Sequence, residues 1–218
     1  MTRVKICGIR TLEEARAAAK QGADMLGFHF SRRSSYVVDR DDATAICDAL
    51  RNEFADSCPL LVGVFVDELV SNVSAITLKV GLDAAQLSGH ESDAILKELR
   101  GIGFKKVNPI NKAMALEDVK YFSRYFPSSN QLPSLMLDVF FDGFEGGPQD
   151  SRAVALAVKA QAPRLMLTGG FTLNNVVERL QTIRPWAVDV NEGVDKAGKP
   201  GVKDQAKIKA IIDAVRSA

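Results

Sequence analysis

The chain is short of the residues that staple, ligate or anchor a protein. Its 218 residues include only three cysteines (Cys7, Cys47, Cys58) and two histidines (His29, His90). An odd cysteine count without C-x-x-C spacing argues against a disulfide framework and a zinc ribbon. Two histidines leave little material for a His-rich metal site, so no metal is expected. No apolar run approaches the roughly 18 residues that a membrane span needs. The opening MTRVKICG has neither an apolar stretch nor a small-residue cleavage site, so no signal peptide is expected, and the expected compartment is the cytoplasm. Neither sign of charge is in excess. A net charge of +1 gives no reason to expect nucleic acid, a membrane surface or an acidic partner. Linkers, low-complexity tracts and a G-x-G-x-x-G after the first strand are also missing.

What remains is an ordinary globular balance, 46% apolar and 25% charged, arranged with a clear rhythm. Short β-rich runs alternate with segments of helical period. RVKIC (Arg3–Cys7) precedes TLEEARAAAKQGA, where Thr11 is placed as an N-cap with Glu14 three residues on and Gly22 as the stop. DMLGFHF, LLVGVFV, AAQL, FKKVN, SLMLD, RLMLT and WAVDV continue the strands. DDATAICDALRNEF, ELVSNVSAITLKVG, ESDAILKELRG, MALEDVKYFSRYF, SRAVALAVKAQ, TLNNVVERLQTI and KDQAKIKAIIDAVRSA continue the helices. Eight strand-then-helix units fill the chain, so residues 1–218 are expected to form one α/β domain, a (β/α)8 TIM barrel. An open doubly wound sheet usually has fewer strands and a nucleotide fingerprint. The one long glycine-rich loop is VFFDGFEGGPQD, after the sixth strand.

Active sites of such barrels lie at the C-terminal ends of the strands. Cys7, His29, Asp67, Ser88, Asn108, Asp138, Gly169 with Gly170, and Asn191 fall there. Side chains alternate along a strand. Val4 and Ile6 suit the helix-facing side, so Lys5 and Cys7 should point into the barrel; the same pattern turns Met136 and Asp138 inward. A thiol and a carboxyl from opposite sides of a mouth suit proton shuttling. Small core filler and a loop cap are the plainer reading of the two. LTGGFTLNN after strand seven and DVNEGVD after strand eight sit where barrels often bind phosphate on backbone N–H groups; two tight turns are the plainer reading there. His29 reads as inward and structural. Lys5 and Lys106 read as paired charges, with Schiff-base chemistry as the alternative. SRRSSYV is a basic loop at the mouth, and Arg164, Arg179 and Arg184 read as surface positions.

These residues resemble a known family. VKICGIRTLEEARAAAKQGADMLGFHF, GVFVD, AQLSG, LMLD, LTGGFTLNNV and AVDVNEGVDKAGKPGVKD are similar, in order and over nearly the whole chain, to phosphoribosylanthranilate isomerases of tryptophan biosynthesis. The resemblance implies a (β/α)8 barrel and an Amadori rearrangement of N-(5-phosphoribosyl)anthranilate without cofactor. It implies a phosphorylated small-molecule substrate, and a monomer or homodimer as the working form. It implies Asp138 as the general acid that opens the ring and Cys7 as the base that takes the C2′ proton, its thiol pKa lowered by a cation such as Lys5. Phosphate would rest on backbone near Gly169, Gly170, Asn191 and Gly193. Further substrate contacts are expected from Lys5, Arg32, Arg33, Tyr36, Gln86 and Asp189. The sequence departs from the family pattern in places. Tyr36 replaces an arginine expected to meet the anthranilate carboxylate, and Asn108 and Pro109 stand in the region of a strand-five arginine. Ser88 replaces a histidine, GGPQ replaces G-G-T-G, and Glu192 falls in the phosphate loop. A barrel paralogue acting on another sugar or small metabolite is the alternative reading, with a non-catalytic binding protein behind it.

Overall fold

The computed structural model describes residues 1–140, 144–145 and 147–218. Its elements alternate in the order β1 (Arg3–Cys7), α1 (Leu12–Lys20), β2 (Met25–His29), α2 (Arg40–Phe54), β3 (Leu60–Phe65), α3 (Val70–Val80), β4 (Ala84–Leu87), α4 (Asp93–Glu98), β5 (Gly103–Val107), α5 (Lys112–Phe122), β6 (Leu135–Asp138), α6 (Gly147–Lys159), β7 (Leu165–Thr168), α7 (Val176–Ile183), β8 (Ala187–Val190), β9 (Asp195–Lys196), β10 (Lys199–Lys203) and α8 (Gln205–Ser217). Strands β1 to β8 form a closed barrel in sequence order, with parallel neighbours. The seam is made by β8 against β1, with Lys5 level with Asp189.

Strand alternation sorts the side chains into two layers. Val4, Ile6, Leu26, Phe28, Leu135 and Leu137 face outward and join the core between sheet and helices. Met25, Val62, Ala84, Phe104, Met136, Met166 and Ala187 fill the barrel interior. Each large side chain removed from water in this way contributes roughly 1.5–3 kcal/mol. Above the interior layer the barrel carries Lys5, which is 0% exposed.

Helix α1 starts where a capping box predicts. The Thr11 side chain accepts from Glu14 N–H, and the Glu14 carboxylate accepts from Thr11 N–H, a device worth about 1 kcal/mol. The same carboxylate also accepts from the backbone N–H of Arg10 and Lys203, so it ties the first helix to the end of the chain. Other boundaries differ from the sequence expectation. Helix α7 begins at Val176 and not at Thr172, because Asn175 Oδ1 accepts from Thr172 N–H and holds 172–175 as a turn. Lys203 ends a strand and does not open α8; Asp204 caps that helix from Ala206 and Lys207 N–H. The β9–β10 hairpin was expected as loop. Of the glycine-rich loop after β6, residues 141–143 and 146 lie outside the described residues. Among the described residues no helix is long and apolar enough to cross a membrane.

Candidate active site

A cavity of about 350 Å³ opens at the C-terminal ends of the strands, within the size range of small-molecule sites. Strand register assembles it. Cys7 of β1 stands beside Gly27 of β2, His29 of β2 beside Val64 of β3, and Val64 beside Gln86 of β4. Across the mouth, Lys106 of β5 stands beside Met136 of β6, and Asp138 beside Thr168 of β7. Cys7, Gln86, Asp138, Gly169, Gly170, Asp189, Asn191 and Gly193 all line this one cavity.

At its floor lies a buried charge pair, with Asp189 in the lining and Lys5 beneath it. Lys5 Nζ donates to Asp189 Oδ1 at 2.7 Å and to Cys7 Sγ at 3.0 Å, and Thr168 Oγ1 donates to the other Asp189 oxygen at 3.0 Å. Burial lowers the Lys5 pKa, but the Asp189 carboxylate and then Cys7 outweigh it, so the ammonium lies above its ordinary value. The thiol behaves otherwise than Lys5 alone would suggest. Burial pushes the Cys7 pKa up, Asp189 pushes it further, and Lys5 and Lys203 oppose without prevailing. The net shift is therefore upward. His29 Nε2 lies 3.3 Å from Cys7 Sγ and its Nδ1 lies 2.9 Å from Ser34 Oγ. Burial first, then the charge of Lys5, lowers the His29 pKa to about 4, so the ring is neutral near pH 7.

Gly27 makes this cluster possible. A Cβ there would stand 2.6 Å from Cys7 Sγ and 2.8 Å from Lys5 Nζ, inside van der Waals contact. On the far side, Asp138 Oδ2 meets Lys106 Nζ at 3.1 Å, while Oδ1 is buried with no hydrogen-bond partner among the described residues. Gly169, at φ 100°, leaves room for that oxygen, which a Cβ would overlap. Lys106 thus supplies a β5 cation two residues before the Asn108–Pro109 region where the sequence pattern had looked for one.

Loops 169–171 and 191–193 close the other side of the cavity, with Phe171 and Glu192 in its wall. Arg179, read from sequence as a surface position, braces this side. Its guanidinium donates to Gly169 O at 2.9 Å and Gly170 O at 3.3 Å and stacks on Phe140 and Phe171. In a trans peptide C=O and N–H are antiparallel, and no peptide is cis among the described residues. The N–H groups of Gly170 and Phe171 are therefore turned away from Arg179. Lys203 holds the neighbouring loop: its ammonium donates to Asn191 O at 3.0 Å, Asn191 Oδ1 at 2.8 Å and Asp195 Oδ1 at 2.8 Å.

Four expected substrate contacts do not line the cavity. Lys5 is spent beneath the floor on Asp189 and Cys7. Arg32 and Arg33 lie exposed on the 31–35 turn. Tyr36 is locked away, its hydroxyl donating to Asp195 Oδ2 at 2.7 Å and its ring 4.6 Å from the Lys203 ammonium. In the other direction, sequence reasoning did not single out Thr168, Phe140, Phe171 or Lys203. Strand alternation applied to β7, with Leu165 and Leu167 outward and Met166 inward, would have found Thr168.

The comparisons with known proteins agree with this geometry. The family model for N-(5'phosphoribosyl)anthranilate (PRA) isomerase matches residues 4–214. An N-(5'-phosphoribosyl)anthranilate isomerase from Roseiflexus sp. (strain RS-1) is 35% identical across 100% of this chain and 99% of its own length. The crystal structure of phosphoribosyl anthranilate isomerase from Thermotoga maritima superposes with a TM-score of 0.84 at 30% identity, over 100% of both chains. A structure of phosphoribosyl anthranilate isomerase in complex with reduced 1-(o-carboxyphenylamino)-1-deoxyribulose 5-phosphate superposes with a TM-score of 0.83 at 31% identity, again over 100% of both chains.

Proposed function

The chain belongs to the N-(5'-phosphoribosyl)anthranilate isomerase family, and we propose that its cavity carries out that isomerisation with Asp138 as acid and Cys7 as base. The reaction is an Amadori rearrangement in tryptophan biosynthesis, converting an aminoaldose to an aminoketose. Asp138 protonates the furanose ring oxygen, the C1′–O bond breaks, and the nitrogen lone pair forms an iminium at C1′. Cys7 then removes the C2′ proton. The C2′–H electron pair becomes the C1′=C2′ bond and the iminium π pair returns to nitrogen. The resulting enolamine tautomerises to the ketone.

The observation that carries this reading is the placement of a thiol and a carboxyl on β1 and β6, in the wall of one cavity. Asp138 Oδ1, without a partner among the described residues, supports it. A buried oxygen without a donor costs about 1–3 kcal/mol, and a bound donor removes that cost. For the substrate phosphate, the reading uses the backbone N–H groups of Gly170, Phe171 and Gly193, with loop 191–193 held by Lys203. Among charged side chains in the wall, Lys106 is the cation nearest the acid and is placed to meet an anionic part of the substrate. Glu192 lies in the same wall, where its carboxylate opposes a bound phosphate. Every side chain named comes from one copy, so the reading holds for a monomer and for a homodimer alike. A cytoplasmic location goes with it, in keeping with three free cysteines.

The test is turnover of N-(5-phosphoribosyl)anthranilate by the purified chain, alongside rescue of tryptophan auxotrophy in an isomerase-deficient bacterium. Asp138→Asn should lose turnover and keep binding of the reduced product analogue. A folded wild-type chain that neither turns over the substrate nor rescues growth would overturn the reading.

A further inference from the structure

If Cys7 is the base, its own proton must have somewhere to go. Lys5 is an unsuitable acceptor, because its ammonium already donates to the sulfur and is held charged by Asp189. Each Asp189 oxygen already accepts a hydrogen bond, one from Lys5 and one from Thr168, and neither is within reach of the sulfur in any hydrogen bond of the cluster. Two atoms of His29 are placed differently. Nε2 faces the sulfur at 3.3 Å, and Nδ1 is held by Ser34 Oγ at 2.9 Å, so the ring is fixed with one nitrogen on the thiol. Ser34 is fixed in turn by Tyr36 N–H, which donates to its oxygen at 3.1 Å. His29 itself lines the cavity.

The geometry points to His29 as the proton acceptor through which Cys7 acts as a base: as Sγ takes the C2′ proton, its own proton passes to Nε2. This deepens the isomerase reading above and rests on it. The bonds balance. C2′–H breaks and a new S–H forms; the old S–H breaks and Nε2–H forms. The positive charge leaves the substrate iminium and appears on the imidazolium. His29 then gives its proton to solvent while Asp138 regains one, so the enzyme ends each turnover unchanged. The relay accounts for how a thiol that burial makes hard to ionise can serve as a base without a standing thiolate. The charged groups around the ring are Lys5 from β1, Asp189 from β8, Lys106 from β5 and Lys203 from β10, with the Cys7 thiol beside Nε2. The lysines oppose imidazolium formation and Asp189 favours it. The ring therefore holds the proton only transiently, as a relay requires. His29 works through Cys7 and is a positioning residue, not a group in contact with C2′.

The relay demands a bare Nε2 and a proton on Nδ1, which ¹⁵N chemical shifts of the His29 ring in the wild-type chain report directly. Kinetically, His29→Gln should lower kcat/KM by ~10²–10⁴-fold near pH 7 with KM changed little. That loss should shrink about tenfold per pH unit as hydroxide takes over formation of the thiolate, whereas the wild type stays flat there. His29→Ala should be rescued by added imidazole. A ring protonated at Nε2 near pH 7 would overturn the relay even if every variant misfolded. So would a His29→Gln loss that is the same at every pH, or no loss at all. A wild-type chain without turnover would count against the isomerase reading and take the relay with it. An active wild type with an unaffected His29→Gln variant would count against the relay alone.

Discussion

Replacing Gly27 by alanine adds one methyl group at the most crowded point of the site. The new Cβ would stand 2.6 Å from Cys7 Sγ, 2.8 Å from Lys5 Nζ and 3.2 Å from Cys7 Cα. Ordinary carbon contacts lie near 3.5–4.0 Å, so the sulfur and the ammonium must each retreat by about 1 Å. Neither is free to do so. The Lys5 side chain is 0% exposed and bonded to Asp189 at 2.7 Å, and Cys7 is pinned between that ammonium and His29. Overpacking of this kind costs about 1–3 kcal/mol, and a loosened buried ion pair adds to it, up to ~3–5 kcal/mol if the pair breaks. Loss of glycine from the unfolded chain returns ~0.4–1 kcal/mol. The net expectation is a destabilisation of roughly 2–4 kcal/mol, read in thermal unfolding as a fall of about 4–16 °C at ~2–4 °C per kcal/mol. Turnover should fall by ~10²-fold or more, since the sulfur moves by about the distance that misplaces a catalytic group. A Gly27→Ala chain that melts within a degree of wild type and turns over normally would refute the placement of Lys5 and Cys7 against β2.

Arg179→Met should free the Gly169 and Gly170 carbonyls and loosen the amides behind them, raising KM about tenfold while kcat changes little; a proportionate loss of kcat would place Arg179 in the chemistry instead. Glu192→Ser removes a carboxylate from the cavity wall, on the side where the proposed reading seats the phosphate. A charge repulsion of ~1 kcal/mol or more predicts roughly fivefold tighter binding of the reduced product analogue by calorimetry, and unchanged affinity would place Glu192 outside the site. Asp195 is a test by pH. Burial raises its pKa, but the Lys203, Gly201 and Tyr36 hydrogen bonds outweigh burial and hold the carboxyl below its ordinary value. The stability it contributes is therefore fully present above the unfolded value of about 3.9 and is lost as pH falls through the lower folded value. Urea unfolding from pH 6 down to pH 3 should show a smaller acid loss in Asp195→Asn than in wild type, and parallel curves would refute the assignment.

The local signals in the chain were legible because they are local. Thr11 and Glu14 act within one turn, and alternation in RVKIC and SLMLD turns Cys7 and Asp138 inward using only their neighbours in sequence. What escaped depends on distance or on competition. The direction of the Cys7 pKa shift turns first on burial and then on Asp189, far along the chain, which together outweigh the Lys5 charge that sequence shows beside the thiol. The β9–β10 hairpin escaped because β9 is two residues long and β10 contains Pro200 and Gly201, poor strand formers. Thr172 looked like the opening residue of a helix, yet its N–H donates to the Asn175 side chain and the helix starts at Val176. Tyr36 looked like a substrate contact because it stands where the family pattern has an arginine for the anthranilate carboxylate; only the fold shows Asp195 and Lys203 claiming it.

The seam between β8 and β1 has a consequence for biosynthesis. Lys5 and Asp189 are 184 residues apart, and the barrel pairs its strands in sequence order. During synthesis the thiol of Cys7 is therefore made at the start and waits, without its floor, until residues 187–190 emerge. Half a barrel can form strand pairs and bury apolar faces, but it cannot hold the Lys5 ammonium out of water, because the anion that stabilises it does not yet exist. Closing a loop of this length costs entropy that grows only logarithmically with its size, so the delay is one of order and not of reach. The floor beneath the thiol is completed only when the last barrel strand arrives, so the chemistry of Cys7 reports closure of the barrel.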